Sequence, residues 1–204
     1  MPGAPDCGWF GKLPALGDFG SRRLPPPMLA RCDAWLSAGL ASSRTRLGER
    51  WLELYLGAPL WHFLWSPGVV DPQWWSGVLM PSVDRVGRYF PLLLAAGWSD
   101  GPPDDPAGLQ RWLDALAEAG RDCLRPGASV ERLEAALQAL PPRPAAATAA
   151  ALPRRLVERA VPAGHGLWWS PDETLRPDAQ APLAAPVAGL PQDADFDALL
   201  DGRD

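Results

Sequence analysis

Gly77-Val78-Leu79-Met80-Pro81-Ser82-Val83-Asp84-Arg85-Val86-Gly87-Arg88-Tyr89-Phe90-Pro91-Leu92-Leu93-Leu94 sets two apolar runs on either side of a short charged, glycine-bearing segment. Val78 to Met80 and Tyr89 to Leu94 show little alternation, which is the pattern of strands covered on both faces. The stretch therefore reads as strand, tight polar turn, strand. Pro81 and Pro91 lack an amide donor, so each belongs at a strand end, an edge or a bulge. Gly87 suits a positive backbone angle that Val or Arg would resist. Asp84, Arg85 and Arg88 are costly between buried strands unless they pair or reach water. The plain reading is an Asp84 bridge to Arg85 or Arg88 that pins the loop. The sharper one is a loop that meets a partner or ligand.

The segments on either side supply the rest of a sheet and its helices. Cys7 to Leu13 looks like a first strand, and Pro14 to Asp18 the turn that ends it, leading to Phe19–Leu24. After Pro25-Pro26-Pro27, the residues Met28, Leu29, Cys32, Trp35, Leu36, Leu40 and Leu47 recur at helical spacing, and Gly48 is a natural stop. Glu49 to Leu56 makes a second short helix. Leu60 to Trp65 is a near-continuous apolar run, hence a buried strand. Beyond the polar, proline-rich stretch Gly97 to Asp105, an amphipathic helix carries Leu109, Trp112, Leu113, Leu116, Cys123 and Leu124 on one stripe. Ser129 can cap the next helix, with Val130, Leu133, Leu137 and Leu140 in helical period.

Pro141 to Ala151 is low in complexity and reads as an exposed linker, Gly164 to Ser170 as a late strand, and Pro171 to Pro182 as a loop. A last short helix carries Phe196, Leu199 and Leu200. Residues 1–140 then form the core domain, 141–163 a Pro/Ala-rich linker or loop, and 164–204 a strand and helix returning to the same domain. Interleaved strands and helices with hairpins among them predict an α/β fold, a three-layer sandwich of a mixed β-sheet with helices packed on it.

Composition narrows the function classes. The 204 residues are 47% hydrophobic and 21% charged, ordinary for a soluble globular protein, and the net charge of -5 gives no electrostatic case for nucleic acid or an anionic membrane. No window approaches a membrane span, and no signal peptide is visible, so the expected compartment is the cytoplasm. Three widely spaced cysteines, Cys7, Cys32 and Cys123, indicate neither a disulfide framework nor a zinc site. Eleven tryptophans are unusual at this size. In Trp74-Trp75 and Trp168-Trp169 adjacent rings fall on opposite strand faces, so one of each pair can mark an interface.

Catalytic machinery is not visible. There is no Walker loop and no dinucleotide-binding glycine pattern. A serine hydrolase would need Ser82 with Asp84 and either His62 or His165, but no G-x-S-x-G elbow exposes a serine, and His62 between Trp61 and Phe63 reads as a core histidine. The arginines Arg22, Arg23, Arg85 and Arg88 have the forks to hold a phosphate or phosphopeptide, against the plainer reading that they are solvated or paired with Asp18 and Asp84. The residues assign no cofactor, no metal and no oligomeric state.

Gly8-Trp9-Phe10-Gly11-Lys12-Leu13-Pro14 with Gly17-Asp18-Phe19, then Trp35-Leu36, Ala58-Pro59-Leu60-Trp61 and the stretch from Met80 to Leu92, together resemble the TagF family, also called ImpM, of type VI secretion clusters. Leu167-Trp168-Trp169 and Gly189-Leu190-Pro191 fit as well. The resemblance implies a three-layer α/β sandwich and a cytoplasmic, non-enzymatic post-translational repressor. It also implies action through the forkhead-associated scaffold protein of the secretion machine. It carries over no catalytic residue. The expected contact residues are Asp84, Arg85 and Arg88 with Asp18, Arg22 and Arg23. The alternatives are a passive structural subunit of the machine and a small serine hydrolase.

Overall fold

In the computed structural model, which describes residues 7–146, 160–171 and 185–202, the strands on either side of the quoted loop lie at the centre of the sheet. They are β4 (Trp74–Met80) and β5 (Leu92–Trp98), paired from Trp74↔Trp98 to Met80↔Leu92. The other strands are β1 (Gly8–Gly11), β2 (Gly20–Arg22), β3 (Trp61–Trp65), β6 (His165–Trp169) and β7 (Val187–Ala188). The sheet order is β2-β1-β5-β4-β3-β6-β7, and every pairing is antiparallel.

The α/β sandwich holds, and the sheet expected to be mixed has no parallel pair among the described residues. Burial on both faces gives an antiparallel strand the same continuous apolar run that a parallel strand has, so the sequence does not separate the two. The central turn is also longer than the apolar run indicated. Tyr89 and Phe90 leave the ladder, and residues 81–91 form a folded loop with Pro81 and Pro91 just outside the strand ends.

Alternation along each strand divides the side chains between two cores. Trp9, Leu64, Trp74, Val78, Met80, Leu92, Leu94 and Leu167 meet α3 (Pro106–Cys123) and α4 (Val130–Gln138). Phe10, Phe63, Trp65, Trp75, Leu79, Leu93 and Trp168 meet α1 (Pro26–Leu47), α2 (Trp51–Gly57) and α5 (Asp193–Asp201). Helix α1 starts at prolines, whose missing amides cost nothing in a first turn, and ends at Gly48 with φ 55°. Ser129 caps α4 by accepting from the Arg132 N–H at 3.2 Å.

The paired tryptophans do split between faces, Trp74 to one core and Trp75 to the other. Neither ring is left over for an interface, because both faces carry helices: every tryptophan is buried except the half-buried Trp169. Several indoles tie segments together. Trp9 Nε1 donates to Glu134, Trp35 to Pro191 O, Trp61 to Leu199 O and Trp98 to Pro144 O.

Residues 143–146, at the start of the expected linker, lie along the end of β5. Arg143 stacks on Trp98 at 4.6 Å and donates to Gly97 O at 2.7 Å, and Asp104 N–H donates to Ala145 O at 3.0 Å. Residues 147–159 of that linker and 172–184, which include most of the expected Pro171–Pro182 loop, lie outside the described residues.

Candidate functional site

A buried aspartate organises the loop. The Asp84 carboxylate is fully inaccessible, and four donors converge on it. Oδ2 accepts from Lys12 Nζ at 2.9 Å and Arg88 Nε at 2.7 Å. Oδ1 accepts from the backbone N–H groups of Val86 at 3.0 Å and Arg88 at 2.9 Å. Burial alone would raise its pKa; these hydrogen bonds outweigh burial and hold the carboxyl well below the usual carboxylate range. Gly87, with φ 83°, closes the turn by donating N–H to Asp84 O at 3.0 Å.

The loop is stitched to its neighbours on two sides. Arg88 reaches Gly17 O and lies 3.8 Å from Asp18, and Arg85 N–H donates to Leu16 O at 2.9 Å, so the turn after β1 is held against it. On the other side Tyr55 of α2 donates its hydroxyl to Ser82 O at 2.8 Å and accepts from Ser82 N–H at 3.0 Å. Ser82 donates its own hydroxyl to Lys12 O at 2.6 Å. The hydroxyl that a serine hydrolase would need is thus buried and committed to the backbone, with no histidine among its partners.

Asp18, Asp84, Arg85 and Arg88 of the expected contact set come together here. Arg22 and Arg23 do not. Neither pairs with Asp18 or Asp84: Arg23 forks onto Glu134 of α4 at 2.6 and 3.1 Å and donates Nε to Cys7 O, while Arg22 is 4.0 Å from the same carboxylate. The reason is placement: Arg22 ends β2 and Arg23, with φ 60°, follows it, so both come within reach of Glu134 on α4. Arg88, not Arg85, makes the bridge to Asp84.

Lys12 and Phe19 are the residues that sequence reasoning did not single out. A lysine in the otherwise apolar run Gly8–Leu13 was the available signal, because a cation there needs a buried counter-ion. Phe19, 47% exposed, packs on Phe10 and Phe90 and lies under the Lys12 ammonium at 4.9 Å.

His62 lies away from this loop, fully buried on β3 beneath α3. Its Nδ1 is 3.3 Å from Gln110, and its Nε2 is 4.0 Å from Asp114 Oδ1. Burial drives its pKa down to about 4, with Asp114 opposing and Arg121 adding to the drop. The unfolded chain takes up this proton near pH 6.5 and the folded chain does not, so stability is full above that pH and falls as pH drops towards 4. The expected loss is about 3 kcal/mol across that window. Urea unfolding of wild type and His62→Phe at stepped pH checks it: the variant should lack this decline, and an equal decline in both would place its origin elsewhere.

Residues 8–140 match the family model of the TagF N-terminal domain, type VI secretion system-associated. Among solved structures, the crystal structure of PA0076 from Pseudomonas aeruginosa PAO1 is similar with a TM-score of 0.78 and 33% sequence identity, over 97% of this chain and 95% of that one. No curated protein matches significantly.

Proposed function

Because the chain belongs to the TagF N-terminal domain family of type VI secretion system-associated proteins, we propose that it is a non-enzymatic cytoplasmic regulator of such a system. In this reading it represses the machine post-translationally by binding the forkhead-associated scaffold protein. One observation carries the choice of binding over catalysis. The four exposed large apolar side chains among the described residues all belong to the Asp84 loop or to segments hydrogen-bonded to it. Val86 (66% exposed) is in the loop, and Phe19 (47%) is in the turn that Arg88 holds. Leu52 (41%) and Leu56 (59%) lie one turn apart on α2, which Tyr55 ties to Ser82. Exposed apolar groups carried on segments that are hydrogen-bonded to one another are what a protein partner can bury. No helix among the described residues is long and apolar enough to cross a membrane.

Calorimetric titration of the purified scaffold protein into this chain tests the reading. Wild type should bind, and Phe19→Ser with Val86→Ser should weaken binding about tenfold or more. Phe19 also packs on Phe10 and Phe90, so the double variant is titrated below its melting temperature, and Val86→Ser alone should weaken binding with a melting temperature close to wild type. Absence of binding, with co-purification of sheath or baseplate proteins instead, would favour the passive structural subunit.

A further inference from the structure

The charges around the loop are not equally available to a partner. Lys12 is buried on Asp84, and Arg88 spends its Nε on Asp84 and a terminal nitrogen on Gly17 O. Arg23 is committed to Glu134 and Cys7 O, and Arg22 lies at the edge of the same carboxylate. Arg85 is different. Its backbone N–H is fixed to Leu16 O, yet its guanidinium makes no ion pair among the described residues. It lies over Gly17, where an added Cβ would come within 3.3 Å of its terminal nitrogen, so the missing side chain at Gly17 leaves room for it. Val86 follows it in the chain, and Phe19 stands two residues beyond Gly17.

This division decides the chemistry of the other side. A phosphate is held by several guanidinium or amide donors at once, and of the four arginines that the sequence offered for that task Arg22, Arg23 and Arg88 already face carboxylates, which leaves Arg85 by itself. One uncommitted guanidinium beside exposed apolar groups matches a single carboxylate in an apolar surround, where exclusion of water strengthens the pair. The positive spot is also local, on a chain of net charge -5.

We propose that the Phe19–Arg85–Val86 surface docks on an unphosphorylated acidic face of its protein partner, with one partner carboxylate on Arg85 and an apolar recess receiving Phe19 and Val86. This assignment rests on the reading of the chain as a scaffold-binding repressor.

Titration of the purified scaffold, before and after phosphatase treatment, into wild type, Arg85→Glu and Arg31→Glu tests it. Arg31 is exposed on α1 and supplies the same change of charge away from the loop. Thermal melts first establish that both variants fold, as expected for exposed side chains. The expected result is a Kd raised about tenfold or more in Arg85→Glu, little change in Arg31→Glu, and equal affinity before and after phosphatase. Wild-type affinity in Arg85→Glu, an equal loss in Arg31→Glu, or binding only to phosphorylated scaffold would each overturn the acidic-face assignment while the scaffold reading stands. A wild-type chain that does not bind the scaffold at all would overturn that reading and this assignment with it.

Discussion

Asp84→Ala is expected to lower the melting temperature by about 10 °C, because it leaves the buried Lys12 ammonium without its counter-ion and removes the acceptor for two loop amides. Breaking one side of a buried pair costs far more than the pair contributes net. The double variant Lys12→Met with Asp84→Leu should therefore recover much of the loss. If the double variant is as unstable as Asp84→Ala, the backbone bonds to Oδ1 matter more than the ion pair. The pH dependence has a definite sign. The folded carboxyl is held below its ordinary value of 3.8, so its stabilisation is fully present above about pH 4 and is lost as pH falls below that. This window lies under the His62 window, so the two can be read separately from one series of unfolding curves.

Gly11→Ala should cost about 3–4 kcal/mol, seen as a lower urea midpoint at unchanged slope. Gly11 closes β1 with φ 137°, and an added Cβ would run into Pro91 O, a backbone atom that cannot rotate away. This close approach also sets where Lys12 leaves the strand, so the variant should disturb the Asp84 cluster as well as the ladder. Gly127→Ala is the control: φ is 78° there, but nothing stands within 4 Å of the new atom, so only backbone strain of about 1 kcal/mol is expected. Equal costs at the two glycines would mean that the contact with Pro91 contributes nothing.

Most of the elements were legible because their signals are local. The helical spacing of Met28, Cys32, Trp35, Leu36 and Leu40, the cap at Ser129 and the unbroken apolar run of Trp61 to Trp65 each name an element without reference to the rest of the chain. The loop around Asp84 was legible as a place where charge sits between buried strands. Its internal wiring was less so. Asp84 pairing with Arg88 across one turn is a short-range relation, whereas Lys12–Asp84, Arg23–Glu134 and Trp9–Glu134 join residues far apart in sequence.

The sequence by itself determined the α/β class, the positions of most strands and helices, and the turn glycine at 87. Those follow from periodicity, from backbone chemistry at Gly and Pro, and from which side chains are present. Only the tertiary structure decided that every strand pair is antiparallel, that the tryptophan pairs serve two cores, that Ser82 is spent on Lys12 O, and that Arg22 and Arg23 belong to α4. The physical reason is that an ion pair or a ladder is chosen by distance in space, and arginines with the same sequence signature part ways once the sheet sets which carboxylate each can reach.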